Sequence, residues 1–342
     1  MSADALLEAV EAAEAGRNLS REQAAAALGV IMAGEAEEQQ TAALLLALRA
    51  KGETAEELAG MAGTMRSLAS PVRPARSDLL DTCGTGGGRQ TFNISTAAAF
   101  VAAGAGCAVA KHGNRTATGL TGSADVLEEL GACLDLTAED EATLIDETGF
   151  GFMFAPAHHA ATRYVVPVRK ALGVSTIFNL LGPLTNPAGA RRQLIGVWEP
   201  SRLDIVADAL VLLGVEHALV VSSADGLDEV GISGPTAVRR VRGGAVEHLE
   251  VLPEELGVER VPPDAVPGGG VKESAQIIRA VMAGDSGPAR AIVLLNAAAA
   301  IHAAGAAESL GEGLAAAEES VDTGAAGAVL ATYAKRSQEM AA

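Results

Sequence analysis

Residues 79–113 constrain the fold most, because they read as one complete unit of an α/β sheet. A short β-rich run, "DLLDTC", leads into "GTGGGRQ", a loop with glycine at four of its first five positions. The Ala-rich "TAAAFVAAGAG" has the composition of a packed helix, and "CAVAKHGN" returns as a strand. Further on, "RQLIGVW", "ALVVSS" and "AIVLLN" read as β-rich runs between helical stretches such as "RLDIVADALVLLG". The alternation predicts an α/β domain with a mainly parallel central sheet covered by helices.

Residues 1–70 carry a different pattern. "LSREQAAAALGVIMAG" opens with Ser20 and has Gln23 three positions on; Thr54 and Glu57 repeat that spacing in "ETAEELAGMAGTMRSLA". Each pair has the form of a capping box, and Gly34 and Gly52 stand where helices would stop. The reading is a small all-helical domain over 1–70, joined by a helical segment near 165–190. The Pro-containing "SPVRPARSD" links it to a larger α/β domain over 71–342. So small a bundle cannot hide all its apolar surface, so it should pack on the rest of the chain or on a second subunit.

A formal net charge of −18 argues against general affinity for nucleic acid or anionic membranes. An anionic ligand would need a local gathering of cations. Cys83, Cys107 and Cys133 have no metal-ligand spacing and read as small buried residues of a reduced, cytoplasmic protein. The acidic start "MSADALLEAVEAAEAG" lacks the marks of a signal peptide, and no apolar run approaches the ~20 residues of a membrane span.

Chemistry is concentrated around the glycine loop. Asn93, Ser95 or Thr96 can cap the helix that follows, leaving its free amides facing the loop. Such a helix start favours an anion, phosphate above all; a plain tight turn is the bland alternative. The loop is neither a dinucleotide fingerprint, which would need glycine at position 89, nor a P-loop, since no Gly-Lys-Ser/Thr follows. The next strand ends in "KHGNRTATGL", so Lys111, Asn114 and Arg115 are expected to project beside the glycine loop.

"GTGG…FNIST", "KHGNR", "GSADVLEELG", "PVRKALG" before "TIFNLLGPLTNPA", and "GLDEVGISGPT" occur in order. Together they resemble the anthranilate phosphoribosyltransferase family over residues 15–335. The resemblance implies a nucleoside phosphorylase/phosphoribosyltransferase-like fold. It implies transfer of phosphoribose from phosphoribosyl pyrophosphate to the amine of anthranilate, with release of pyrophosphate, in tryptophan biosynthesis. Gly84, Thr85, Gly86, Gly87, Gly88, Thr91, Asn93, Ile94, Ser95 and Thr96 would cradle the pyrophosphate end. Lys111, His112, Gly113, Asn114, Arg115, Thr116, Ala117, Thr118, Gly119 and Ser123 would continue around the phosphates and ribose. Anthranilate would meet Gly84, His112, Asn114, His159, Arg169 and Pro183, with the Arg169 fork on its carboxylate. Ser95, Asp228 and Glu229 would hold Mg²⁺, two ions in all. No dedicated general base is expected, because an aromatic amine is already neutral at pH 7. A homodimer through the helical domain is the family habit.

The sequence also departs from the family pattern. Gly88-Arg89-Gln90 replaces a longer stretch that begins with Asp, and Arg89 is expected to offer a cation to a phosphate. Ser175 stands where Arg is usual, Ala160 where Pro is common, and Ser274 where Asn is frequent. Two alternatives stay open: a same-fold nucleoside phosphorylase or phosphoribosyltransferase for another aromatic amine, and a non-catalytic relative that binds nucleic acid. The latter would need a basic groove.

Overall fold

The computed structural model describes residues 4–116 and 120–341. The chain opens with α1 (Asp4–Glu14), α2 (Arg21–Met32), α3 (Glu38–Lys51) and α4 (Ala55–Leu68). Both expected capping boxes form: Ser20 with Gln23 starts α2, and Thr54 with Glu57 starts α4. Each closes two amides that the helix cannot satisfy itself. Buried Glu57 also accepts the Leu19 amide and pairs with Lys51 at 2.8 Å, which ties α3 to α4.

β1 (Leu79–Gly84) feeds α5 (Ile94–Gly104) and β2 (Ala108–Gly113), the unit read from the sequence. Next come α6 (Ser123–Glu129), α7 (Ala138–Thr148), β3 (Phe150–Phe154) and three short helices, α8 (Ala155–His158), α9 (Val166–Leu172) and α10 (Phe178–Leu181). β4 (Arg192–Gly196), α11 (Leu203–Leu212), β5 (His217–Ser223), β6 (Thr236–Arg242) and β7 (Ala245–Val251) complete the sheet. Then follow α12 (Val271–Met282), α13 (Pro288–Ala303), α14 (Leu310–Asp322) and α15 (Ala325–Ala341).

The seven strands run in the order β3-β2-β1-β4-β5-β6-β7. Pairs from β3 through β5 are parallel; β6 and β7 add an antiparallel hairpin at one edge. The chain winds one way from β1 to β2 and the other way from β4 to β5. Their C-terminal ends therefore open a crevice at the β1/β4 reversal, where parallel sheets hold ligands.

"AIVLLN" is not a strand. Residues 291–296 lie in α13, which starts with Pro288 and is buried from Ile292 to Ala303. A helix enclosed on all sides shows no polar stripe, so its period is hidden in an apolar run.

One buried cluster joins α5, α13 and the sheet, with Phe100 stacked on Phe150 at 4.2 Å. On the opposite face, Leu28, Leu44, Leu48 and Met61 of the first helices share a cluster with Val168, Ile177 and Leu181. That cluster continues into Val206 and Leu210 of α11 and into Ile195 and Val220 of the sheet. The excess apolar surface of residues 1–70 is thus largely covered within the chain, although Leu7 and Leu46 remain 44% exposed. No described helix is long and apolar enough to cross a membrane.

Candidate active site

The crevice is built from two loops that touch through backbone. A methyl group at Gly196 would lie 1.6 Å from the Asp228 carbonyl oxygen, and one at Gly84 would lie 2.2 Å from Asp228 Oδ2. Only glycine permits this approach. With it, the Gly86 amide donates to Asp228 Oδ2 at 2.9 Å. Asn296 fixes the far side of the acidic loop: its side chain accepts the Val230 amide and donates to the Val230 carbonyl, both at 2.9 Å.

Glu229 accepts the Ser95 amide at the start of α5. Burial, then the neighbouring Asp228 charge, raises its carboxyl to about 8, while Lys111 pulls the other way. Burial also raises Asp228, opposed by the Gly86 amide. Two desolvated carboxyls side by side repel each other, and a cation would relieve that repulsion. The donor set is wholly oxygen, with the Ser95 hydroxyl nearby, and suits a hard ion such as Mg²⁺. Among the described residues no group of three or more Asp, Glu, His or Cys forms a closed cage. Phosphate oxygens and water would supply the remaining ligands.

Lys111, expected to project beside the glycine loop, reaches the ends of that loop but is buried rather than open to the crevice. It is 1% exposed, and its ammonium sits beneath the glycine loop, donating to the Thr82 carbonyl and to Ser95 Oγ at 3.4 Å. Burial lowers its pKa, while Asp81, Cys83 and Glu229 oppose that shift. Buried Asp81 accepts the His112 amide at 3.0 Å. No motif marks Asp81; its signal is an acid inside the apolar strand "DLLDTC".

Around this centre the expected residues divide. Thr85 continues the β1/β4 pairing, its amide donating to the Gly196 carbonyl at 2.9 Å. Gly87 lies against the indole of Trp198, where a methyl would meet Nε1 at 2.8 Å. Asn93 starts α5 but exchanges hydrogen bonds with Thr121 rather than capping by its side chain. Ile94 and Thr96 are buried, and among the described residues Thr96 Oγ1 has no hydrogen-bond partner. Thr91 is half-buried beside the loop.

Gly113 packs on Ser123, whose hydroxyl donates to the Asn114 carbonyl at 3.3 Å. The Thr116 amide donates to Asp125. Arg115 lies against α6, paired with Asp125 at 2.8 Å and Glu128 at 2.6 Å, so it does not face the glycine loop as expected. Short carboxylates within reach outcompete an open crevice for an exposed guanidinium. Ala117, Thr118 and Gly119 lie outside the described residues.

Arg89 also departs from expectation. Its guanidinium pairs with Asp225 Oδ2 at 3.0 Å and donates to the Pro263 carbonyl at 2.8 Å, so it offers no free cation to a phosphate.

A second group flanks the crevice. His112 and His159 lie with ring centroids 5.1 Å apart. Their contacts are the Gly182 carbonyl to His112 Nδ1 at 3.2 Å and the Thr185 carbonyl to His159 Nε2 at 3.0 Å. A carbonyl only accepts, so those nitrogens carry protons. Burial pushes His112 down to about 3 and His159 down to about 4, so both rings are neutral at pH 7. Pro183 is buried, and its carbonyl accepts from Gln193 at 2.9 Å. Arg169 lies 5.4 Å from the Phe178 ring centroid, and among the described residues no acid pairs with it. Burial lowers its pKa, leaving a partly desolvated cation for an anionic substrate group.

A polar cavity of about 240 Å³ adjoins the glycine loop at Thr85 and Trp198 and is lined on its other side by Arg49, Glu53, Ser175, Asn179 and Arg202; the acidic pair, the two histidines and Arg169 do not line it. The larger cavity, about 350 Å³, is apolar and lies between the β6/β7 hairpin and α13/α14, away from this chemistry.

A glycine loop and an acidic pair at the β-strand ends, with a helical domain beside them, fit a transferase that takes an anionic, phosphorylated substrate. Residues 76–327 match the glycosyl transferase family, a/b domain, and residues 7–69 match its helical bundle domain. Anthranilate phosphoribosyltransferase of Symbiobacterium thermophilum is 53% identical over 316 residues, 92% of this chain and 93% of that protein. The Rubrobacter xylanophilus enzyme of that name is 51% identical over 338 residues, 98% of each chain. The crystal structure of the Thermus thermophilus enzyme superimposes with a TM-score of 0.92 at 45% identity, covering 96% of this chain and 99% of that one. The Saccharomyces cerevisiae enzyme in complex with PRPP and Mg gives 0.90 at 28% identity, covering 99% of both chains. The chain belongs to the anthranilate phosphoribosyltransferase family.

Proposed function

We propose that this protein transfers the phosphoribosyl group of phosphoribosyl pyrophosphate to the amine of anthranilate, releasing pyrophosphate, in tryptophan biosynthesis. The observation that carries this reading is the apposition of Gly86 and Asp228, which joins amide donors and an acidic pair at one strand-end crevice.

In the reaction the amine nitrogen bonds to the anomeric carbon of ribose, the carbon–oxygen bond to pyrophosphate breaks, and its electron pair leaves with pyrophosphate. The amine gives up one proton to solvent water after the new bond makes it acidic. Positive charge grows on ribose and negative charge on the leaving group. The Thr85 and Gly86 amides are already bonded to Gly196 and Asp228, so the Gly87 and Gly88 amides would be the loop's donors to that anion, and the start of α5 adds its dipole. Buried Lys111 sets the local potential from below. Asp228, Glu229 and Ser95 would hold magnesium, two ions in this reading, and bound Mg²⁺ supplies charge neutralisation at the pyrophosphate oxygens. Arg169 would hold the anthranilate carboxylate, with neutral His112, His159 and Pro183 shaping a flat slot for the ring. No general base is required; placing the two substrates together supplies much of the barrier reduction.

The same reading treats residues 1–70 with the segment near 165–190 as one helical domain, and the remainder as the phosphoribosyl domain. Exposed Leu7 and Leu46 support a homodimer through the helical domain. A cytoplasmic location fits three free cysteines.

Loss of anthranilate fluorescence on adding phosphoribosyl pyrophosphate, with and without Mg²⁺, tests the function. Metal-dependent loss is expected. An unchanged signal from protein that still binds phosphoribosyl pyrophosphate would redirect the search to another amine.

A further inference from the structure

Arg89 makes three bonds to two places, the loop at Asp225–Gly226 and Pro263. Its amide donates to the Gly226 carbonyl at 3.0 Å, its guanidinium pairs with Asp225 at 3.0 Å, and the same guanidinium donates to the Pro263 carbonyl at 2.8 Å. Next to it, a methyl at Gly88 would lie 2.5 Å from the Gly226 carbonyl, so the glycine loop and the acidic loop touch with no side chain between them. The Asp225 side chain is 6% exposed and that of Arg89 27%, so the pair is largely withdrawn from water.

We propose that Arg89 is a positioning residue, a neutralised strut that clamps the glycine loop onto the loop carrying Asp228 and Glu229 and so fixes the pyrophosphate slot that the joined loops border. The proposal rests on the phosphoribosyl reading of the site. Its charge is matched by Asp225, so it adds little net attraction for phosphate. Its removal does something worse: it leaves a buried carboxylate unpaired in a loop that abuts the anion cradle. Removing both charges should therefore harm the slot less than removing Arg89 alone.

The protein carries its own reporter. Trp198 is the sole tryptophan, and its indole lies against Gly87 of the same loop. Full-length wild type, Arg89→Gln, Asp225→Asn and the double variant would be titrated with inorganic pyrophosphate and Mg²⁺, following Trp198 fluorescence. Circular dichroism would check that each variant is folded.

Arg89→Gln should weaken pyrophosphate binding about tenfold and make Trp198 more open to acrylamide quenching. Asp225→Asn should cost less, and the double variant should return to within about threefold of wild type. In turnover, the KM for phosphoribosyl pyrophosphate should follow the same order while the KM for anthranilate stays within about twofold.

A double variant as weak as Arg89→Gln, with Asp225→Asn binding as well as wild type or better, would overturn the strut and make Arg89 a phosphate contact. Wild-type binding and quenching in every variant would overturn it too. Wild-type protein that binds pyrophosphate but consumes no anthranilate would remove the functional reading, and the pyrophosphate titration would still decide the strut.

Discussion

The amide of Gly86 donates to Asp228 Oδ2 at 2.9 Å, joining two loops that lie 142 positions apart in the chain. In the proposed function one loop would supply donors for an anion and the other acids for a cation. Their contact means that the two halves of that proposed site are set against each other by the fold, before either ligand arrives.

That contact depends on Gly196 as much as on Gly86. Gly196→Ala would place a methyl 1.6 Å from the Asp228 carbonyl, a backbone atom with no rotamer to escape into. The acidic loop must shift, so kcat/KM for phosphoribosyl pyrophosphate should fall about 100-fold or more. Stability should fall by about 2 kcal/mol, read from urea denaturation. Near-normal kinetics would show that the loop position is not critical.

Asp228→Asn with Glu229→Gln keeps size and hydrogen-bonding shape while removing the charge that would attract a cation. The expected result is loss of Mg²⁺-dependent turnover by about 1000-fold with the melting temperature within a few degrees of wild type. Turnover that responds to Mg²⁺ as before would take these acids out of metal binding.

Arg169 has no acid to pair with among the described residues, and its charge is partly desolvated. Arg169→Ala should raise the KM for anthranilate about 30-fold and leave that for phosphoribosyl pyrophosphate nearly unchanged. Equal loss of both affinities would assign Arg169 a structural role through its packing on Phe178.

His217 is a pH-sensitive element remote from the site. Burial, then His302 and the Arg242, Arg240 and Arg192 charges, pushes it down to about 4. The folded ring is neutral where the unfolded ring, near pH 6.5, binds a proton, so this group costs stability as pH falls from about 6.5 to 4. His217→Asn removes that cost. The difference in urea midpoint between variant and wild type should move in favour of the variant across that window; a constant difference would show that the ring is not depressed.

Leu7 and Leu46 are each 44% exposed on the helical domain. If this face pairs two copies, Leu7→Glu with Leu46→Glu should convert a dimeric mass in light scattering to a monomeric one at micromolar protein, with the fold retained. A monomeric wild type would end the dimer reading.

Local rules made much of the fold legible. Ser20–Gln23 and Thr54–Glu57 announce helix starts, and "DLLDTC" through "CAVAKHGN" announces a parallel unit, because each signal acts over a few residues. "AIVLLN" misled because α13 is enclosed on all sides and has no polar stripe. The β6/β7 hairpin went unread, its strands half polar at a sheet edge. In the site, the resemblance assigns Gly86 and Asp228 to one ligand pair, but neither their direct contact nor the destinations of Arg89 and Arg115 could be read from the motifs. A guanidinium goes to whichever acid the fold brings near, and Asp225 lies 136 positions from Arg89.

Asn296 gives the acidic loop an unusual foundation. Its side chain holds both backbone groups of Val230 and also donates to the Ile292 carbonyl of its own helix at 2.8 Å. The wall that carries Asp228 and Glu229 is therefore fastened to the central helix of the core, while the opposite wall is fastened mainly to other loops. Heat or denaturant should loosen the anion side first and leave the acidic side standing until the whole domain gives way, so the site would fail from one side like a door losing its hinge rather than its frame.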